Sequence, residues 1–90
     1  MGIEFDQDKR NTTLRERGLD FARAGEILAG PVLTKEDARY DYGERRFVTF
    51  GQLDCRIVVL VWTKRGALCR IISMRYANDR EKSQYSKSLG

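Results

Sequence analysis

The sequence has no histidine, one proline and two cysteines in 90 residues. Without histidine it lacks the side chain that most often moves protons near neutral pH. Acid–base chemistry would fall to carboxylates, amines, guanidinium groups or water. The same absence, with only two thiols, argues against a structural or catalytic zinc site, and no other metal or cofactor is indicated. The thiols do not read as a disulfide. A hairpin turning near Thr63–Gly66 would offset Cys55 from Cys69 by about six residues, or roughly 20 Å along a strand, which is beyond disulfide reach. Both are expected to be buried free thiols. No apolar run approaches the length of a membrane span. The opening "MGIEFDQDKR" lacks the basic and apolar segments of a signal peptide, so a cytoplasmic protein with no membrane contact is expected. There is no glycine-rich phosphate loop, no nucleophile elbow, no repeat and no low-complexity stretch.

What is present is a single domain with a modest core, 41% hydrophobic and 33% charged. The net charge of +4 is uneven. Residues 1–43 carry seven Lys and Arg against nine Asp and Glu, whereas residues 44–90 carry ten against four. A basic half on a small domain favours an anionic partner, nucleic acid first.

Along the chain, "GIEF" suits a short strand. Asp6 suits the N-cap of a helix through "QDKRNTTLRERG" that ends at Gly18. Asp20 caps a second helix, "FARAGEILA", whose Phe21, Ala24, Ile27 and Leu28 share one face. Gly30-Pro31 stops it. "VLTKEDARYDYGE" reads as a short extended piece and then a loop. Three strands follow: "RRFVTFGQ", the continuously apolar "CRIVVLVWT", and "ALCRIISMR". Their short connections suit antiparallel hairpins. Asn78 and Glu81 form a capping box for a last helix, and Ser86–Gly90 is expected to fray. The fold class is therefore α+β: an antiparallel sheet of three to five strands with two N-terminal helices and one C-terminal helix.

Hairpin arithmetic distributes the charges. A turn near Leu53–Asp54 sets Glu44 opposite Thr63, so Glu44, Arg45, Thr63, Lys64 and Arg65 gather at one end of the sheet. Arg56, Arg75 and Arg80 gather at the other. Arg70 and Arg75 differ by five, which on a regular strand puts them on opposite faces. They share one site only if a bulge or bend intervenes, or if one sits at the strand's edge. Each residue also has a plain role. Arg65 suits a solvated turn, Glu44 suits a surface pair with Lys64 or Arg65, and Trp62, Tyr76 and Tyr85 suit packing. Arg80 is less comfortable, because a cation near a helix N-terminus is mildly unfavourable.

The segments "EFDQDKRNTTLRERGLDF", "YGERRFVTFG" and "VLVWTKRGALCRIISMRYANDREKSQY" span nearly the whole chain. In that order they resemble the BrnT-type toxins of bacterial toxin–antitoxin pairs, which are similar in fold to RelE-type ribonucleases. The last segment, with T-x-R-G, R-I-I-S-x-R, R-E and a tyrosine, is the most specific. One departure stands out: the family commonly has Lys-His-Gly at the end of the first helix, and here Arg17 occupies the histidine place, where it can share a capping role. The resemblance implies a ribonuclease toxin that inhibits translation. It implies neutralisation by a BrnA-type antitoxin, and contact with operator DNA only through that antitoxin.

Metal-free RNA cleavage requires a base for the ribose 2′-hydroxyl, cations for the phosphorane and an acid for the leaving 5′-oxygen. Arginine forks suit the phosphate. On this reading Arg65, Arg75 and Arg80 face phosphate, and Glu44 acts as base or orients an arginine. Lys64, Arg70 and Tyr85 bind RNA, the last by stacking. Besides Glu44, a Lys or Arg of lowered pKa or a water could serve as base. A basic module that binds nucleic acid without chemistry, or that serves as a corepressor, remains the alternative.

Overall fold

Among the described residues, five strands make one sheet in the order β1-β5-β4-β3-β2. The computed structural model describes residues 2–38 and 43–89. Strand β1 (Gly2–Phe5) leads into helix α1 (Gln7–Arg17). A 3-10 turn (Phe21–Arg23) runs into helix α2 (Ala24–Ala29). Strands β2 (Leu33–Asp37), β3 (Arg46–Leu53), β4 (Arg56–Arg65) and β5 (Leu68–Tyr76) follow, then helix α3 (Asp79–Leu89). The expected loop after β2 lies partly outside the described residues.

The α+β expectation holds, but the sheet is mixed. β2 to β5 are antiparallel neighbours, whereas β1 pairs parallel with β5. The reason is the open edge of β5, whose backbone groups need partners. β1 supplies them along Leu68–Ile71. Further on, Arg17 of α1 reaches the same strand, its Nη1 donating to the Met74 carbonyl at 2.9 Å. Arg17 therefore bonds the sheet, and the helix end is capped by Gly18, whose φ of 70° lets its N–H reach the Leu14 carbonyl.

α1 buries no residue and so depends on polar ties. Arg10 forks onto Asp20 at 2.8 Å from both nitrogens, and Asp20 also accepts from the Ala22 N–H. The expected second helix is a tight 3-10 turn followed by only six α-helical residues, which sinks Phe21, Ala24 and Ile27 into the core. α3 runs through the expected frayed tail to Leu89, because buried Tyr85 anchors its second half to the sheet.

Both hairpins differ in register from the arithmetic. The β3–β4 turn falls on Asp54–Cys55, both with positive φ (51° and 65°), the geometry that matches strand twist in a two-residue turn. Thr63 thus faces Arg46, not Glu44. In the β4–β5 hairpin Cys69 faces Lys64, not Val61. Cys69 is buried, but Cys55 is exposed on its turn, against expectation. One more displacement matters for function. Between Val61 and Trp62 the pairing slips: Trp62 faces Ile71 and Val61 faces Ser73, leaving Ile72 as an extra residue on β5.

Each sheet face has its own core. On the α1/α2 side lie Leu19, Phe21, Ala24, Ile27, Leu53, Val58, Leu60, Ile71 and Met74. On the α3 side lie Phe50, Val59, Ala77 and Tyr85. Gly51 is where α2 comes closest to β3. A β-carbon there would stand 2.5 Å from Ile27 Cγ2 and 3.2 Å from Val32 Cγ1. We expect Gly51→Ala to cost about 1–3 kcal/mol through overpacking, seen as a lower urea midpoint with unchanged slope. An unchanged midpoint would mean that α2 is free to retreat.

Candidate nucleic-acid interface

The extra residue at Ile72 decides which arginines share a surface. Arg70 faces Thr63 and Arg75 faces Val59. Thr63 and Val59 are four apart on β4, so their side chains share one face. Arg70 and Arg75 therefore share it too. The expectation that they lie on opposite faces is corrected, because the bulge shifts the parity of β5 between them.

That face is the α3 side, and α3 covers only part of it. Across the uncovered end runs a row set by register: Asp37, Arg46, Thr63, Arg70 and Glu4, one from each strand. Strands about 4.8 Å apart put the Arg46 and Arg70 backbones roughly 10 Å from each other across Thr63. Glu44 lies beside this row, 3.5 Å from Arg46 Nε. Arg65, at the end of β4, lies 4.0 Å from Glu4, and Arg70 lies 3.5 Å from the same Glu4 oxygen. A groove of about 400 Å³ leads inward over Val48, Phe50, Val59 and Val61, flanked by Lys35, Glu36 and Asp37 of β2 on one side and by Arg75 and Glu81 on the other.

The candidate residues do not form one cluster. Glu44, Lys64 and Arg45 line a smaller hollow with Phe47 and Thr63. There Arg45 sits over the Phe47 ring, which stacks on Trp62. Arg75 stands at the far end of the groove, about four residues or 13 Å along the strand from Arg70. Arg80 is exposed in the first turn of α3. Arg56 does not join Arg75: its guanidinium covers the Tyr76 ring at 3.7 Å, and Tyr76 packs on the opposite face. Tyr85 is 3% exposed and its hydroxyl donates to the Pro31 carbonyl at 2.7 Å. A ring so enclosed has no face to offer a base, so the stacking role assigned to it is corrected to a packing role.

The arginines divide by how their donors are used. Arg10, Arg23, Arg45 and Arg75 are forked onto carboxylates: Asp20, Asp54 and Glu26, Glu36, and Glu81. Arg65 and Arg70 donate no hydrogen bond among the described residues. The same is true of Arg15, Arg56 and Arg80, but only Arg65 and Arg70 stand at ion-pair range of a shared carboxylate, Glu4. Sequence reasoning missed Glu4, because only the parallel pairing of β1 brings it beside Arg70. The pairing of Arg75 also bears on its chemistry. The Glu81 hydrogen bonds hold the Arg75 guanidinium more firmly protonated than usual, the reverse of what a base needs.

No curated protein matches the chain. A family model described as "Ribonuclease toxin, BrnT, of type II toxin-antitoxin system" matches residues 5–81.

Glu81 closes the capping box, accepting from the Asn78 N–H while its own N–H donates to Asn78 Oδ1, both at 2.9 Å. Its carboxyl is held below its ordinary value of 4.5, first by the Arg75 hydrogen bonds. A lowered folded pKa contributes stability that is present above the ordinary value and is lost as pH falls through the folded one. Glu81→Gln keeps an acceptor for Asn78 and removes the charge. We expect it to cost about 1 kcal/mol at neutral pH, with the difference from the parent shrinking as pH drops below 4.5. A difference that stays constant through that range in thermal melts would place the loss elsewhere than the charge.

Proposed function

The chain belongs to the BrnT family of ribonuclease toxins of type II toxin–antitoxin systems, and from that premise we propose that it is a metal-independent endoribonuclease acting through the open end of the α3 face. The family carries with it an antitoxin partner. We propose that this partner is of the BrnA type and brings the DNA-binding domain through which the pair meets its operator. On the same reading, RNA cleavage in the cytoplasm inhibits translation, and the sheet and helices follow the RelE plan.

The reading rests on one observation above the others: Arg65 and Arg70 stand on one open face beside a single carboxylate, Glu4, while their N–H donors remain unused among the described residues. Arg10, Arg23, Arg45 and Arg75, by contrast, are forked onto carboxylates. Donors held in reserve are suited to phosphate oxygens, whose bidentate geometry matches the guanidinium plane.

The proposed step is an internal transesterification. Glu44, beside Arg46, takes the proton of a ribose 2′-hydroxyl. The 2′-oxygen forms a bond to phosphorus, and Arg65 and Arg70 stabilise the charge that builds on the phosphorane oxygens. The bond to the 5′-oxygen breaks, and that oxygen takes a proton from water or a nearby cation. The products are a 2′,3′-cyclic phosphate and a 5′-hydroxyl. Lys64, on the other wall of the Glu44 hollow, contacts a neighbouring phosphate. Arg75 and Arg80 attract the strand further along. Arg75 needs release from Glu81 to bind phosphate directly, and we give it an accessory role.

The test is incubation of purified protein with end-labelled RNA in excess chelator. Cleavage to cyclic-phosphate ends is expected, with Arg65→Ala and Arg70→Ala each lowering the rate about a hundredfold or more, the order of loss for one stabilising donor. Binding without cleavage by the parent would instead indicate a nucleic-acid-binding or corepressor module. Full activity in both variants would remove the site from this face.

A further inference from the structure

We propose that Glu4 is a positioning residue for cleavage: a carboxylate that holds Arg65 and Arg70 side by side and oriented without occupying their hydrogen-bond donors. The proposal rests on the ribonuclease reading of this face and goes beyond it to a residue just outside the matched segment, which begins at residue 5.

Glu4 Oε1 is buried, yet it accepts no hydrogen bond. A carboxylate oxygen withdrawn from water without a hydrogen bond carries a desolvation cost. The strand itself does not require a charge there; a polar or β-branched residue would serve an edge strand as well. The same oxygen lies 3.5 Å from Arg70 Nη1 and 4.0 Å from Arg65 Nε. One acceptor atom is thus shared between two guanidinium groups, and it reaches hydrogen-bond geometry with neither.

At Arg10, Arg23, Arg45 and Arg75 a carboxylate closes down on the guanidinium, whereas Glu44 stands off Arg46 at 3.5 Å. Arg75 meets Glu81 at 2.8 Å through both terminal nitrogens, and Arg10 meets Asp20 at 2.8 Å through two. Those pairs consume the donors they fix. Glu4 does something different. Its charge offsets the repulsion of two neighbouring cations and draws both toward one point, while their N–H groups stay available. Substrate phosphate could then take up the donors without first displacing a bidentate carboxylate. The backbone supports the placement. Arg70 is fixed beside Glu4 by the parallel β1–β5 register, and Arg65 is fixed by the turn that sets it opposite Leu68.

This predicts that binding and turnover part company. Removing the Glu4 charge leaves the surface more positive, so RNA should bind at least as tightly, with a steeper salt dependence. Cleavage should fall, because the two guanidinium groups are no longer held at the phosphorane. We would measure Glu4→Gln in two assays. Binding would use 2′-O-methyl RNA, whose nucleophile is blocked. Turnover would use unmodified RNA of the same sequence. The expected result is equal or tighter binding together with a kcat about tenfold to a hundredfold lower, the scale of loss for misplaced catalytic groups. Unchanged or faster cleavage would overturn the proposal, and so would parallel losses of binding and cleavage with the protein still folded by thermal melt. If Glu4→Gln does not fold, Glu4→Asp decides. It keeps the charge and withdraws it by one methylene, and parental kcat in that variant would overturn the proposal. Arg70→Ala serves as the control for the underlying reading. Full activity there removes the site from this face, whereas loss there with normal turnover in the Glu4 variants leaves the site and rejects the positioning role.

Discussion

One extra residue in β5 sets the chemistry of the α3 face. With Ile72 out of register, Met74 and Tyr76 still reach the α1/α2 core that Ile71 joins from the other side of the bulge. The polar residues are carried along. Arg75 lands on the face that already holds Arg70, at the far end of a groove with an apolar floor. In a regular strand, core demand on one side would have scattered these cations onto both faces. The bulge satisfies the core and gathers the charge together.

Electrostatic pairing then sorts the gathered cations. α1 lacks a buried stripe, so it is tied down by Arg10 on Asp20 and by Arg17 on the sheet. The Arg10 pair and the Ala22 N–H lower the Asp20 carboxyl to about 2. Arg23 fastens the start of α2 to the β3–β4 turn through Asp54, and Arg75 fastens the start of α3 through Glu81. These arginines belong to the fold. Arg65 and Arg70 differ from them: among the described residues they donate no hydrogen bond, and both stand at ion-pair range of one carboxylate, Glu4. A basic net charge alone does not distinguish the two groups; hydrogen-bond geometry does.

Much of this was legible in the sequence, and the rest was hidden for identifiable reasons. Asp6, Gly18, Asp20 and the Asn78–Glu81 box mark helix ends through short-range chemistry, and the structure follows them. The three hairpin strands were visible from apolar runs and short turns. Register was not, because a positive-φ turn at Asp54–Cys55 in place of Leu53–Asp54 moves every partner by two. The parallel partner of β1 could not be read locally, since "GIEF" carries no signal of which edge it joins; with it went Glu4. The bulge was foreseen only as a condition. Tyr85 was misassigned because its helical position looks the same from the sequence whether it faces solvent or Pro31. Which arginines are forked depends on how the chain turns between partners three to 31 residues apart, and no single spacing carries it.

The central claim is that Arg65 and Arg70 hold their guanidinium donors for phosphate. Side-chain Nε–Hε resonances of the arginines, followed by NMR during titration with uncleavable 2′-O-methyl RNA, test it most directly. The account predicts that the signals of Arg65 and Arg70 shift early and together, while those of Arg10 and Arg23 stay in place. Shifts confined to arginines outside the α3 face, with Arg65 and Arg70 unmoved at saturation, would contradict it.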